Sequence, residues 1–201
     1  MLVYSLLCVA LATGNALFWL HKWHKQGVEL CFADTMMTGV QPSFLLMLLI
    51  PPTLGLVHQL KFILEQPFVI CALDNRARLA RNLLAALLFI AFRAVMAVSI
   101  PSIALGALLF RGSKPCTWES GASYYAYMTG QTLITPVKTG SLIVWQAMTI
   151  WLTVLLVSIL FLSINLSCES HQLGSILSWG VCLLALWMCS FPCLLYTSDA
   201  A

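Results

Sequence analysis

The chain has 201 residues, of which 61% are hydrophobic and 8% are charged, and its formal net charge is +3. A soluble globular domain has about 45–50% apolar and about 25% charged residues, so this composition excludes an ordinary soluble domain. We predict an all-α fold in the form of a polytopic integral membrane helical bundle. We therefore expect the lipid bilayer to be its partner, and we expect that it binds no nucleic acid.

Long apolar runs recur along the chain. A helix needs roughly 20 residues to cross about 30 Å of hydrocarbon, and none of the runs shows the alternation of period two that barrel strands have. We therefore predict five spanning helices, at about residues 2–20, 43–63, 83–110, 142–166 and 174–192.

The second and third runs contain prolines and buried polar candidates. Proline removes a backbone donor and clashes with the preceding turn, so we predict kinks at Pro51, Pro52 and Pro101. His58 and Arg93 are intramembrane polar candidates for a transport pathway. Arg93 follows Leu83 by ten residues, which places it about 15 Å deep at about 1.5 Å per residue. Two interpretations stay open: a functional side chain facing the bundle interior, or a shifted span that lets Arg93 reach one membrane face.

Residues 67–82 join the second and third runs, and they hold the densest charge in the chain. Pro67 ends a helix, Phe68 begins a short apolar stretch, and Asp74 is suited to cap a helix beginning at residue 75. Three arginines then follow in that helix: Arg76, Arg78 and Arg81. Such an element can dock on a soluble partner, or its arginines can anchor it to anionic headgroups at about 1 kcal/mol each.

Orientation follows from the distribution of Lys and Arg in the loops. The total count is nearly balanced between the two sides, but the three arginines fall within six residues, so we place residues 64–82 and the amino terminus in the cytoplasm. The location predicted is a bacterial cytoplasmic membrane, with loops 21–42 and 111–141 outside. Seven aromatic residues lie on or beside that outer face, as expected at a membrane interface: Trp19, Trp23, Trp118, Tyr124, Tyr125, Tyr127 and Trp145. The two loops also leave open a Cys31–Cys116 disulfide.

No motif for chemistry is present. The sequence has no H-E-x-x-H, G-x-S-x-G or P-loop, and no acidic residue lies within a predicted span. We therefore predict that the protein is not an enzyme and has no catalytic, cofactor or metal site.

The last nine residues, 193–201, read CLLYTSDAA and look like translated sequencing adapter. We accordingly expect residues 1–192 to be a single transmembrane domain that is truncated at its carboxyl end, with a sixth span lost by that truncation.

The layout resembles the small membrane subunits of bacterial ABC exporters of the type-2 permease class, in particular uncharacterised Firmicutes members whose loop reads roughly P-F-x-L-I-R-Y-x-S-R. Pro67, Phe68, Val69 and Ile70 match its start and Arg76 its final arginine, whereas Ala72 replaces the first arginine. The resemblance implies export of an unidentified substrate, a separate ATP-binding subunit docked on the loop, and a homo- or heterodimer of permease subunits. The alternative is a sensor, immunity or assembly protein whose residues 67–82 bind a cytoplasmic partner or anionic lipid.

Overall fold

The computed structural model of the chain describes residues 2–64, 76–111, 116–130 and 137–167, together with positions 176, 179–181 and 184. Most of the fifth predicted run, 174–192, lies outside the described residues. So do Pro67, Phe68 and Asp74 of the loop and the whole 193–201 tail.

Helices account for the fold, and no strand occurs in the ranges just given, which confirms the all-α prediction. The described elements are α1 (Leu2–Lys25), α2 (Phe32–Thr38), a π-helical segment (Phe44–Leu49), α3 (Ile50–Leu64), α4 (Arg76–Leu109), α5 (Tyr124–Thr129) and α6 (Thr139–Ser167).

Within these residues, three helices are long and apolar enough to cross a membrane, namely Leu2–Lys25, Ala80–Leu109 and Thr139–Ile164. They correspond to the first, third and fourth predicted runs. The second run, 43–63, is divided between the π-helical segment and α3, and its apolar helical part, Phe44–Leu60, is shorter than the other three. A membrane-spanning helical bundle is thus supported, whereas the count of five spans stays a prediction.

Helix α4 is central because α1, α2 and α6 all pack against it. The buried side of α1 repeats at nearly every fourth residue and includes the small side chains of Cys8, Ala12 and Ala16. Small residues allow neighbouring helices to approach closely in a membrane bundle. The main core lies where these helices meet α3, and it is built from Leu54, Ile90, Ala94, Val98 and Ile150, among others.

Helix α2 is buried, although the sequence places residues 21–42 in an outer loop. Ala33, Asp34, Thr35 and Met36 are each 1% exposed or less, because the chain turns back after α1 and inserts α2 beside α1, α4 and α6. The burial of α2 was thus not predicted from the sequence. Helix α2 is only seven residues long and modestly hydrophobic, so no long apolar run in the sequence indicated it.

Two glycines allow α2 to lie so close. A Cβ atom at Gly106 of α4 would lie 2.6 Å from both Phe32 Cδ2 and Thr35 Oγ1, and one at Gly39 would lie 3.0 Å from Val98 Cγ1. Real Cβ atoms do not approach other atoms to 2.6 Å, so a larger residue at Gly106 would require the side chains of Phe32 and Thr35, or α2 itself, to shift.

We expect Gly106→Ala to lower the free energy of unfolding by about 1–3 kcal/mol, as overpacking typically does. Gly14→Ala is the matched control, because Gly14 lies within α1 with nothing within 4 Å of the added Cβ. Alanine there removes a helix-destabilising glycine worth about 1 kcal/mol. Thermal unfolding of both variants in detergent measures the difference, and equal melting temperatures would contradict the close contact.

Candidate functional site

The described part of the predicted coupling loop is the start of α4. Arg76 is helical, and the side chains of Arg78 and Arg81 are exposed. These two lie three residues apart, so they share one face of the helix. The cap predicted at Asp74 lies outside the described residues and stays a prediction.

Arg93 lies level with the beginning of α1. Its Nη1 donates to Ser5 Oγ at 3.4 Å, and its guanidinium lies 5.0 Å from the centre of the Phe89 ring. From Arg76 to Arg93, α4 rises about 25 Å at about 1.5 Å per residue. The basic start of α4 therefore extends well beyond the first turn of α1.

The two predicted pathway residues have different neighbours. His58 of α3 is exposed and its ring meets Phe161 of α6 edge to face, with ring centres 6.4 Å apart. Arg93 instead lines an open cavity between α1 and α4. The hydrogen bond found for Arg93 is therefore with α1.

The three prolines predicted to kink helices lie at the start of α3 and within α4. Pro51 and Pro52 follow directly on the π-helical segment, at the point where α3 begins, and Pro101 lies within α4. A hydroxyl beside each proline donates to the carbonyl one turn earlier: Thr53 Oγ1 to Leu49 O at 2.7 Å, and Ser102 Oγ to Val98 O at 2.9 Å. Such hydroxyls support the backbone near a proline in an apolar setting.

A group of polar side chains, which we call the inner polar cluster, lies among α1, α2, α4 and α6. Asn15 Nδ2 donates to Thr38 O at 2.9 Å, and Gln146 Nε2 contacts Ser102 Oγ at 3.5 Å. Gln146 is fully buried and Ser102 is 2% exposed. The members of the cluster are Asn15, Thr35, Thr38, Ser99, Ser102 and Gln146.

Two oxygen atoms in the inner polar cluster are buried without a hydrogen-bond partner among the described residues. They are Ser99 Oγ and Gln146 Oε1. Leaving a buried polar atom unpaired costs about 1–3 kcal/mol, so natural bundles rarely do so without a reason. This cluster was missed by sequence reasoning, because Ser, Thr and Gln within apolar runs gave no motif.

The two loops placed outside by the sequence fold together into a cap over one end of the bundle. Glu29 N donates to Ala122 O at 2.8 Å, and Ser120 Oγ donates to Glu29 Oε2 at 2.9 Å. The ring centres of Trp23 and Tyr124 lie 4.2 Å apart. The aromatics predicted for a membrane interface therefore also join the two loops to each other.

Asp34 anchors this cap from inside. Its Oδ2 accepts from Cys31 N and its Oδ1 accepts from Trp118 Nε1, both at 2.7 Å. Burial raises the pKa of Asp34 above its usual range, although the hydrogen bonds from Trp118 and Cys31 act in the opposite direction. The residue was counted as a loop charge at the sequence level, and its place three residues after Cys31 is the spacing of a helix cap.

Cys31 and Cys116 are both free thiols and lie in the same apolar cluster with Trp118 and Leu142. Burial, with the nearby Asp34 charge adding to it, raises the pKa of Cys31 to about 11. The disulfide that the sequence left open is therefore not present in this structure.

No family model, curated protein or solved structure matches the chain. What the fold and the site define is a class, a helical bundle with at least three helices suited to span a membrane.

We expect Trp118→Phe to destabilise the cap by about 1–3 kcal/mol at neutral pH, because Asp34 then loses one of its two donors. Trp145→Phe is the control, since Trp145 is 50% exposed on α6. Loss of stability in Trp145→Phe equal to that in Trp118→Phe would show that the hydrogen bond is not the cause.

The same pair of variants should differ with pH. The folded-state pKa of Asp34 is raised, so its contribution to stability is fully present below the ordinary carboxyl pKa and is lost as pH rises through the folded value. Trp118→Phe raises that pKa further, so its destabilisation should grow from acidic to neutral pH. Thermal unfolding across that range measures the trend.

Proposed function

We propose that this protein is a permease subunit of an ABC-type export system in a bacterial cytoplasmic membrane. It moves a substrate by alternating exposure of a path within the bundle, and a separate ATP-binding subunit supplies the energy. Two permease subunits, identical or different, form the complete pathway, and the chain itself carries out no covalent chemistry.

The observation that carries this proposal is the inner polar cluster. Polar groups inside a membrane bundle are costly, and they often mark the route of a polar substrate or ion. Ser99 Oγ and Gln146 Oε1 are buried without a partner in the described part of the chain. A conformation that opens the contact between α4 and α6 would give both oxygens a partner, in the form of water or a polar group of the substrate.

The interrupted second membrane element supports the same function. The short helix α2 precedes it as a separate segment, and the element itself consists of the π-helical segment continued by α3. In many transporters, binding sites lie where a membrane helix is discontinuous, and here the break lies beside Gln146, whose side chain contacts Gly39 at the end of α2.

The start of α4 supports coupling to a soluble partner. Arg78 and Arg81 are exposed on one face, and the helix carries them about 18–22 Å beyond the level of Arg93. A rigid helix with a basic end can transmit the movement of a docked ATPase to the bundle interior, because α4 also contacts α1, α2 and α6.

A triple substitution tests the coupling. We expect Arg76, Arg78 and Arg81 changed together to Ala to abolish copurification with the ATPase encoded beside this protein, and to abolish its stimulation of ATP hydrolysis. The matched control changes Lys22, Lys25 and Lys138 to Ala, which removes the same charge from the opposite side. Unchanged association in the arginine variant, or the absence of a neighbouring ATPase, would instead favour a sensor, immunity or assembly protein.

A second substitution tests the path. We expect Gln146→Leu to keep or raise the melting temperature, because it removes an unpaired buried oxygen, and to lower stimulated ATP hydrolysis severalfold. Ser158→Ala is the control: Ser158 Oγ is also buried and unpaired on α6, but it lies about 18 Å further along the helix. Equal effects of both variants on ATP hydrolysis would remove the inner polar cluster from the path.

A further inference from the structure

A groove with one charged group lies between α1 and α4. Its volume is about 530 Å³, which is within the roughly 300–1,000 Å³ of small-molecule sites. Apart from the Ser5 hydroxyl and the Arg93 guanidinium, its walls are apolar side chains. They are contributed chiefly by Val9, Phe92, Met96 and Ile100.

Arg93 has no acidic partner among the described residues. The acidic side chains there are Glu29, Asp34 and Glu119, and the first two are engaged in the cap with Ser120 and Trp118. Within the described part of the chain, the guanidinium has a long hydrogen bond to Ser5 and a contact with the Phe89 ring. A planar guanidinium with free donors in an apolar setting is complementary to a phosphate.

The position of Arg93 along the bundle matches a phospholipid headgroup. From Ser5 to Lys25, α1 rises roughly 30 Å at about 1.5 Å per residue, which equals the hydrocarbon thickness of a bilayer. Lys22 Nζ lies 4.6 Å from the centre of the Trp19 ring at the far end, and Lys and Trp of this kind lie at membrane surfaces. Arg93, beside Ser5, is therefore placed near the opposite surface, in keeping with the shifted span that the sequence left open.

The apolar residues of the groove extend in the direction that a bound acyl chain would follow. It rises about 12 Å along α4 from Arg93 to Pro101, towards the middle of the bilayer. Phe92, Met96 and Ile100 are 56%, 42% and 54% exposed, so they form a surface that lipid would cover.

We propose that this groove binds an anionic phospholipid of the leaflet that faces the start of α1. The phosphate accepts hydrogen bonds from Arg93, and one acyl chain lies against the apolar wall of α4. This site is separate from the inner polar cluster, and the proposal holds whether or not the protein is a permease.

Native mass spectrometry of the full chain, titrated with phosphatidylglycerol or phosphatidylcholine, tests the proposal. We expect the wild type to prefer the anionic lipid, and Arg93→Gln to weaken phosphatidylglycerol binding about tenfold or more, since one charge-assisted contact is lost. Arg93→Lys should keep part of the affinity. The control is Arg81→Gln, which removes an exposed arginine of the same helix and should leave this binding unchanged.

Three outcomes would overturn the proposal. Equal binding of both lipids would remove the role of the headgroup charge, and a loss in Arg81→Gln but not in Arg93→Gln would move the lipid to the start of α4. Displacement of the lipid by inorganic phosphate would reveal a site for a free anion. Melting temperatures of the variants, measured in the same detergent, show that each still folds.

Discussion

The close contact between α2 and α4 is the constraint on which the rest of the structure depends. Phe32 and Thr35 lie so close to Gly106 that an added Cβ would force a neighbouring group to shift, and this contact places a short polar segment inside the bundle. Once α2 is inside, every polar group on it needs a partner, because an unpaired one costs about 1–3 kcal/mol. Asp34 accepts hydrogen bonds from Cys31 and Trp118, and Thr38 O accepts one from Asn15.

The same constraint explains how the two ends of the bundle differ. At the end that holds the cap, the Asp34 carboxylate accepts from Trp118 of the other loop, so burying α2 also fastens the two loops together. At the other end, α4 continues about 25 Å past Arg93 to an exposed basic start. The two ends therefore differ: one is covered by the cap and the other carries the exposed basic start of α4.

The sequence predicted the long helices but not how they pack against one another. The apolar length of runs 2–20, 83–110 and 142–166 predicted α1, α4 and α6, because hydrocarbon admits few backbone structures other than helices. It failed at α2, whose seven residues are too few for a periodic pattern.

What the sequence by itself determined is the class of environment and the kind of element: 61% hydrophobic residues in long runs require lipid and helices. What only the tertiary structure decided is which polar groups meet. Gln146 and Ser102 are 44 residues apart in the chain, and Asp34 and Trp118 are 84 apart. No local pattern joins such residues, because their contacts follow from how closely the helices pack around Gly39 and Gly106.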